Sequence, residues 1–520
     1  MKKLKSLILA TLLTSTPFCF AQKSKTLDEE KNLRYQKECE EIKEFGVKGK
    51  MQIDCELMFH HYNSDATKKY YNPLSMNGND LKLAGLNLLH PGQAKTLYKD
   101  FPIIAKLINQ WDVVAAVELL PILGKDKKLN DRIFTLIEKS EIKKGKVTKE
   151  SDIKELSRIQ NDAKKLYRIP GYLKILNELR KLDPSWSLLI SARGEAARET
   201  NVQELSGFYY RATVARPKTN EYCKEYEGKG KAYGCIPSFG KKFMGRPLEN
   251  VFSRRPFMAS FESNKFDYTL LTTHVIFTSP TNPESKEHIL SAAFGTDDLK
   301  TLGTGINQAN YARFAEVKII LEFMDKIRSK YNEKDVMLVG DFNIEAKNKF
   351  WPEVLPSFPG GQVFVEDATS LKSTLIGKNG EEISGYSKNY DHFLFDSKKT
   401  NECKGAQRYD YFRREISEFV TKEYLALPVT DAPYFNMEID KKKMNKIVNK
   451  WKMKIAQQKV IKRNKIIDQS SDKKDTIIQN LKKRVFDSQL DDSKVLRIYK
   501  EVISDHAPIE IFCNTNRDDD

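Results

Sequence analysis

The stretch Val336-Met-Leu-Val-Gly-Asp-Phe-Asn343 joins a short apolar run to a turn that carries polar side chains. Four consecutive apolar residues, two of them valines, are typical of a strand that is buried on both faces. Gly340, Asp341 and Asn343 are residue types that favour a turn. The sequence therefore predicts a buried strand that ends by presenting Asp341 and Asn343 at one edge of a sheet.

Eight further strands are predicted, at residues 81–89, 112–119, 187–191, 207–215, 256–262, 268–275, 392–395 and 509–512. Several of them begin or end at or beside a carboxylate, an amide or an imidazole. The polar residues at strand ends are Asn87, Glu118, His274, Asp391, Asp505 and His506. Because loops at strand ends can converge on one site, we expect these side chains to gather there. Their oxygens suit Mg²⁺, Mn²⁺ or Ca²⁺ rather than zinc, and imidazoles move protons near neutral pH.

Helical patterns separate the strands, which predicts a mixed α/β core. Residues 94–110 are helix-like, and residues 309–330 carry an apolar stripe at helical spacing. Residues 124–183 and about 400–500 show helical patterns with few strand signals, and we interpret them as two helical insertions. The chain of 520 residues then divides into a polar N-terminal extension (22–79), one large domain (80–513) and an acidic tail (514–520).

The first 21 residues have the pattern of a signal peptide. Three lysines precede an apolar run from Leu7 to Leu13, and the segment ends with small residues at Cys19 and Ala21. Cleavage is predicted after Ala21, with a retained short membrane anchor as the alternative. The protein is therefore expected to be secreted or periplasmic.

Six cysteines remain after that cleavage, and an even number in an exported chain suggests disulfides. Proximity in sequence favours Cys39–Cys55, Cys223–Cys235 and Cys403–Cys513, although six cysteines allow fifteen pairings. No CxxC pair occurs, which argues against a zinc site.

The net charge of +17 is concentrated in one segment, which we call the basic segment (residues 441–484). It holds 16 Lys or Arg and 3 Asp, a net charge of +13. One reading is a clamp for the backbone of a polyanion. The other reading is a solvated helix face. The sequence implies no stable protein partner.

The order of the polar motifs resembles the endonuclease/exonuclease/phosphatase superfamily. Gly340-Asp-Phe-Asn343 and Ser504-Asp-His506 match its two most diagnostic motifs, and Tyr390-Asp-His-Phe393 matches a third. The resemblance covers roughly residues 80–120, 185–400 and 495–513. It implies that residues 80–513 are a catalytic domain with a four-layer α/β sandwich fold, in which two packed mixed β-sheets are flanked by helices and the active site lies at one end.

Three further segments resemble secreted deoxyribonuclease I-type nucleases. Gln203-Glu-Leu-Ser-Gly-Phe-Tyr-Tyr-Arg211 is similar to a strand of that enzyme opened by Glu and closed by Arg. Phe252-Ser-Arg-Arg-Pro256 is similar to its phosphate-contacting segment, although the residue before the proline is usually acidic there. Thr273-His-Val275 is similar to the strand end that carries its first catalytic histidine.

The resemblance implies a role for each polar residue. Asn87, Glu118 and Asp505 would hold the metal, taken as Mg²⁺ with Mn²⁺ or Ca²⁺ as alternatives. Two residues, Asp341 and Asn343, would orient the attacking water or bind the scissile phosphate.

The acid–base and phosphate-binding groups follow from the same resemblance. His506 would be a general base or an orienting donor backed by Asp391, and His274 would be the other acid–base group, paired with Glu204. Arg254 would clamp phosphate, because a guanidinium fork suits phosphate oxygens. Four further histidines have no motif context and are interpreted as surface or structural residues. They are His60, His61, His90 and His288.

The best-supported function is a secreted metal-dependent endonuclease that hydrolyses DNA, with RNA as a further substrate. The alternative is a phospholipase C or sphingomyelinase-type phosphodiesterase, or a phosphate monoesterase, because the core residues are shared. A membrane enzyme should expose aromatic side chains, and Phe350-Trp351 is the pair to test. A non-catalytic nucleic-acid-binding module is disfavoured. Such a module should have lost at least one metal ligand or histidine, and none of the expected polar residues is missing.

Overall fold

A computed structural model describes residues 60–76, 80–91, 99–120, 148–155, 158, 171–191, 204–227, 233–237, 251–372, 385–411, 500 and 503–518. The predicted signal peptide, the Cys39–Cys55 disulfide and the basic segment lie outside the described residues. Within these ranges, no helix is long and apolar enough to cross a bilayer.

The described part of the chain forms fourteen strands. They are β1 (His60–Tyr62), β2 (Leu81–Asn87), β3 (Val113–Leu119), β4 (Trp186–Ile190), β5 (Leu205–Arg211), β6 (Arg216–Lys218), β7 (Gly234–Cys235), β8 (Phe257–Ser263), β9 (Phe266–His274), β10 (Val336–Asp341), β11 (Gly361–Phe364), β12 (Asp391–Asp396), β13 (Cys403–Arg408) and β14 (Ile509–Cys513).

Seven α-helices that lie wholly within the described ranges accompany the strands. They are α1 (Ser64–Tyr70), α2 (Phe101–Ile108), α3 (Gly171–Leu182), α4 (Glu221–Glu227), α5 (Pro283–Phe294), α6 (Tyr311–Tyr331) and α7 (Trp351–Val354), with short 3₁₀ helices at Pro73–Met76, Leu299–Leu302 and Leu355–Ser357.

The strands form two mixed sheets of seven strands each. The first sheet has the order β1-β4-β5-β3-β2-β14-β13, and the second has the order β11-β12-β10-β9-β8-β6 with β7 beside β8. The pairs β2–β3 and β9–β10 are parallel, and the other pairs are antiparallel.

Three hydrophobic clusters hold four layers together. The middle cluster lies between the sheets and joins side chains such as Phe208 of β5 and Phe257 of β8, whose rings stack at 5.2 Å between centroids. The outer face of the first sheet packs on α2 and α3, and the outer face of the second packs on α5 and α6. The predicted four-layer α/β sandwich is confirmed.

Two glycines permit close approach of the backbone near the site. A Cβ at Gly85 of β2 would lie 2.5 Å from Val339 of β10, so the absence of a side chain lets the two sheets approach at that point. Gly340 has φ +146°, and a Cβ there would lie 2.0 Å from the carbonyl oxygen of Thr273. The glycine that precedes Asp341 is therefore required both by conformation and by space.

The boundaries of the predicted insertions need adjustment. Helix α3 lies inside the range 124–183, but its buried residues Tyr172, Ile175 and Leu179 belong to the cluster on the first sheet. This helix is therefore part of a layer that flanks the sheet. Its amphipathic pattern alone does not distinguish a helix of such a layer from a helix of an insertion. Strand β13 likewise lies inside the range 400–500 but pairs with β14 in the sheet.

Two of the three predicted disulfides are present, Cys223–Cys235 and Cys403–Cys513. The second joins residues that face each other across the β13–β14 pair. Covalent links of this kind stabilise a fold chiefly by restricting the unfolded chain.

Candidate active site

Strand register brings the polar residues together at one end of the sandwich. In the second sheet, Asp341 at the end of β10 lies opposite His274 of β9 on one side and Asp391 of β12 on the other. In the first sheet, Asn87 ends β2 beside Val117 of β3, so that Glu118 follows next to it. Carboxylates, amides and imidazoles from both sheets thus share one edge.

Asn87 joins the two sheets at this edge. Its Nδ2 donates to Glu118 Oε1 at 2.9 Å and to Asp341 Oδ2 at 3.2 Å. Glu118 has φ 59°, a left-handed conformation that is costly for a residue other than glycine or asparagine. The register of β3 against β5 shifts between Ala116 and Leu119, so the residue whose carboxylate faces the site lies at a bulge of the strand.

The first histidine–carboxylate pair consists of His274 and Glu204. His274 Nδ1 lies 3.0 Å from Glu204 Oε2, and its Nε2 faces Glu118 Oε1 at 3.5 Å and Asp341 Oδ2 at 4.0 Å. Burial and Arg254 lower the pKa of His274, but the carboxylates of Glu118 and Glu204 outweigh them and raise it above its usual value.

The second pair consists of His506 and Asp391. His506 Nδ1 lies 2.6 Å from Asp391 Oδ2, and its Nε2 faces Asp341 Oδ2 at 3.7 Å. The Thr369 hydroxyl donates to the same Asp391 oxygen at 2.5 Å. Burial opposes the charged imidazole, yet Asp391 and Asp341 raise the pKa of His506 well above its usual value.

Asp341 occupies the centre of this arrangement, since the Nε2 atoms of both histidines face its Oδ2. Its Oδ1 accepts the backbone N–H of Asn343 at 2.9 Å. Burial and the nearby Asp391 raise the pKa of Asp341 to about 6, while His506 and His274 act in the opposite direction. One carboxylate therefore couples the two histidine–carboxylate pairs electrostatically.

Arg254 lies at the site but is engaged with a carboxylate. Its Nε is 2.6 Å from Glu204 Oε2, and its Nη2 donates to Glu204 Oε1 at 3.2 Å. Burial alone would raise the pKa of Glu204, but hydrogen bonds from His274 and His90 and the charge of Arg254 hold it well below its usual value. The geometry assigns Arg254 to Glu204, and its contact with phosphate stays a prediction.

His90 also lies among these groups, although it has no motif context in the sequence. Its Nε2 lies 2.9 Å from Glu204 Oε1 and 3.2 Å from Glu118 Oε2. His90 has φ 55°, and its N–H donates to the carbonyl oxygen of Glu118. The only available sequence signal was its position three residues after Asn87, in the loop that follows the same strand.

Asn343 and Ser504 organise the backbone around these groups. Asn343 Nδ2 donates to the carbonyl oxygen of Val275 at 2.9 Å, which fixes the segment after His274. The Ser504 hydroxyl donates to the carbonyl oxygen of Asn87 and accepts the N–H of His506. The serine therefore ties the end of β2 to the loop that carries His506.

Two sets of side chains are candidates for holding a cation. Asp341, Asp391 and His506 offer atoms that lie within 4.8 Å of one another. However, Asp391 Oδ2 and His506 Nδ1 already bond each other, which satisfies both atoms without a metal. Asp505 Oδ1, by contrast, is buried and has no hydrogen-bond partner in the described part of the chain. Such an atom is costly, so the residues present fit the predicted ligand set that contains Asp505.

The aromatic pair Phe350-Trp351 is buried. The exposed fractions of the two side chains are 1% and 3%, and their rings pack on Phe314 of α6. Trp351 Nε1 donates to the carbonyl oxygen of Glu345 at 3.0 Å. The pair forms part of the core behind the site and does not face a membrane.

Comparisons with known proteins give the following. No family model matches the sequence, and no curated protein matches it. Solved structures of low similarity include an endonuclease/exonuclease/phosphatase family protein from Leptotrichia buccalis, 13% identical, covering 65% of this chain and 95% of that chain, with a TM-score of 0.34. The human Nocturnin catalytic domain with bound sulfate is 9% identical, covering 61% and 82%, with a TM-score of 0.30.

A beta toxin variant from Staphylococcus aureus with bound magnesium ions is 13% identical, covering 64% of this chain and 89% of that chain, with a TM-score of 0.31. Because the identities and TM-scores are low, these likenesses carry no conclusion about what this chain does.

Proposed function

We propose that this protein is a metal-dependent hydrolase of phosphodiesters, and that its substrate is nucleic acid, DNA in the first place. The observation that carries the proposal is the pair of histidine–carboxylate units that face one oxygen. His274 and His506 each turn Nδ1 to a carboxylate and Nε2 toward Asp341 Oδ2. This arrangement provides two acid–base groups on either side of a single buried carboxylate.

Hydrolysis of a phosphodiester needs two proton transfers. The attacking water loses a proton, and the leaving oxygen gains one. A carboxylate that holds Nδ1 fixes the tautomer and the orientation of an imidazole, so that Nε2 is the nitrogen that exchanges protons. Both histidines have a carboxylate at Nδ1, which supports their assignment as the general base and the general acid.

The proposed metal ligands are Asn87, Glu118 and Asp505. A bound Mg²⁺ would supply Lewis-acid stabilisation of the negative charge that builds on the phosphate oxygens. The contacts of Asn87 with Glu118 and Asp341 keep these carboxylates adjacent, and the buried Oδ1 of Asp505 has no donor among the described residues. Hard oxygen atoms of this kind favour magnesium, manganese or calcium.

The charge of the basic segment supports a polyanionic substrate. In the sequence this segment lies between Tyr411 and Ser504, which are both among the described residues. The Tyr411 hydroxyl donates to the carbonyl oxygen of Ser504 at 3.5 Å, and Arg408 pairs with Ile509 in the sheet. The two described residues that flank this part of the chain therefore lie near the loop that carries His506, and the segment itself has a net charge of +13.

A substrate panel tests the proposal. Supercoiled plasmid, single-stranded RNA, sphingomyelin vesicles and a phosphate monoester would each be incubated with the purified protein in Mg²⁺, in Ca²⁺ and in excess EDTA. We expect nicking of plasmid with Mg²⁺ and none with EDTA. Turnover of vesicles or of the monoester, with plasmid left intact, would replace the nuclease assignment with the lipid or monoesterase alternative.

The basic segment should act on affinity rather than on turnover. Changing Lys441, Lys442, Lys443, Lys462 and Arg463 to Gln should weaken DNA binding and make the slope of log affinity against log salt shallower, by up to about 0.9 per lost phosphate contact. Turnover at saturating DNA should change little, because uniform binding contributes to KM. The measurement is DNA affinity at several salt concentrations, with a control for binding to anionic vesicles.

A matched control changes five exposed lysines outside the segment to Gln. They are Lys224, Lys265, Lys300, Lys398 and Lys399. This variant has the same net charge and should keep the wild-type slope. An unchanged slope in the first variant would identify the segment as a solvated helix face, and loss of vesicle binding instead would identify a membrane-surface helix.

A further inference from the structure

An exposed phenylalanine lies close to the proposed active site. Four large hydrophobic side chains are exposed among the described residues, Leu74, Ile153, Leu182 and Phe277, and only the last is aromatic. Phe277 is 59% exposed and lies three residues after His274. Single exposed hydrophobic residues are common on protein surfaces, so the surroundings of Phe277 decide whether it carries a function.

Arg313, in the first turn of α6, fixes Phe277. Its Nε donates to the carbonyl oxygen of Phe277 at 2.9 Å, and its guanidinium lies over the Phe277 ring, 4.9 Å from the centroid. The same guanidinium donates to the carbonyl oxygen of Asn343. A single arginine thus holds the aromatic ring and the loop that carries Asn343 in one arrangement.

The segment between His274 and Phe277 is also held by the site itself. Val275 donates its N–H to the carbonyl oxygen of Asp341 at 2.9 Å and accepts the Asn343 side chain. The Ile276 N–H donates to the buried carboxylate of Glu316 at 3.3 Å. Since three residues span at most about 11 Å between Cα atoms, the backbone of Phe277 lies within that distance of the backbone of His274.

We propose that Phe277 is a stacking platform for a nucleobase next to the scissile phosphate. The inference rests on the proposed nuclease function and names a subsite of that same site. An aromatic face binds any base and needs no hydrogen-bond readout, and arginine adds to such platforms through its interaction with π systems. A membrane contact would need a cluster of apolar side chains, whereas Thr278 and Thr281 beside Phe277 are exposed and polar.

The test combines Phe277→Ala with substrates that lack one base. Binding would be measured by fluorescence anisotropy in a His506→Ala background, which prevents cleavage, using single-stranded DNA oligonucleotides with an abasic site at each position in turn. Phe277→Ala should raise Kd about 5- to 150-fold, the usual effect of losing one base–aromatic stack. Phe277→Trp should preserve binding, and its fluorescence should be quenched by DNA. The control is Leu74→Ala, which removes an exposed apolar side chain before β2.

The abasic scan distinguishes stacking from a loss of structure. For the protein that keeps Phe277, an abasic site at one position should raise Kd by the same factor as Phe277→Ala does on intact DNA. For the Phe277→Ala variant, Kd should be the same with and without that abasic site. Equal Kd values for the Phe277 protein and the Phe277→Ala variant on intact DNA would overturn the platform and leave the nuclease function standing. Loss of vesicle binding in place of DNA binding would identify a membrane contact and overturn it as well. If the unsubstituted protein neither binds nor cleaves nucleic acid, the proposed function itself fails.

Discussion

Glu118→Gln should lower kcat/KM on DNA by about a thousandfold while the protein stays folded. A metal contributes several kcal/mol to stabilising charge on the phosphate, and each 1.36 kcal/mol is a factor of ten in rate. The substitution preserves the shape of the side chain but removes the anionic oxygens that face Asn87, His90 and His274. Steady-state kinetics across a Mg²⁺ titration, with circular dichroism to confirm folding, provides the measurement.

The control is Glu353→Gln, which changes an exposed carboxylate on α7 and should leave activity at the wild-type level. Excess EDTA should abolish wild-type activity, and added Mg²⁺ should restore it. Full activity of the wild-type protein in excess EDTA would reject the metal-dependent mechanism. Full activity of the glutamine variant would remove Glu118 from the proposed ligand set.

His506→Ala should lower kcat by at least about a hundredfold, the usual contribution of a general acid or base. Asp391→Asn should also lower kcat, because an amide can donate to Nδ1 and then favours the tautomer with its proton on Nε2. Since the two residues form one unit through the 2.6 Å contact, the double variant should be little worse than His506→Ala alone.

Asp367→Asn is the matched control, because it changes an exposed carboxylate near Asp391 in the fold and should have no effect. Multiplicative losses in the double variant would show that His506 and Asp391 act separately. The same design applied to His274 and Glu204 tests the other pair, where His274→Ala should also cost at least about a hundredfold in kcat.

The strands and the end of the sandwich that carries the polar groups could be predicted from the sequence. Apolar runs such as 336–339 and 113–117 are buried on both faces, so their pattern is strong and their polar termini are easy to find. Short edge strands such as β6 and β11 were missed, because their residues are partly exposed and show no apolar run. The amphipathic pattern of α3 did not reveal that the helix packs on the first sheet.

Pairings within the site depend on folding and were only partly predictable. His506 with Asp391 and His274 with Glu204 were expected from motif order, and the register of β9, β10 and β12 aligns His274, Asp341 and Asp391 at one edge. The contacts of His90 required the chain to turn sharply after Asn87, in a conformation that no local pattern favours. The engagement of Arg254 by Glu204 likewise joins residues 50 positions apart, which local sequence does not encode.

The backbone of the site bears on how the protein would respond to selection for stability. Eight residues other than glycine have positive φ within the described ranges, and four of these are asparagines, which tolerate it. Of the other four, Leu89, His90, Glu118 and Val365, two contribute side chains to the site, His90 and Glu118, and each positive φ costs of order 1–3 kcal/mol. Glycine at position 118 would relieve the backbone strain of a positive φ, but it would also remove the carboxylate. Laboratory evolution for heat resistance should therefore enrich inactive variants at positions 90 and 118 unless activity is selected in parallel.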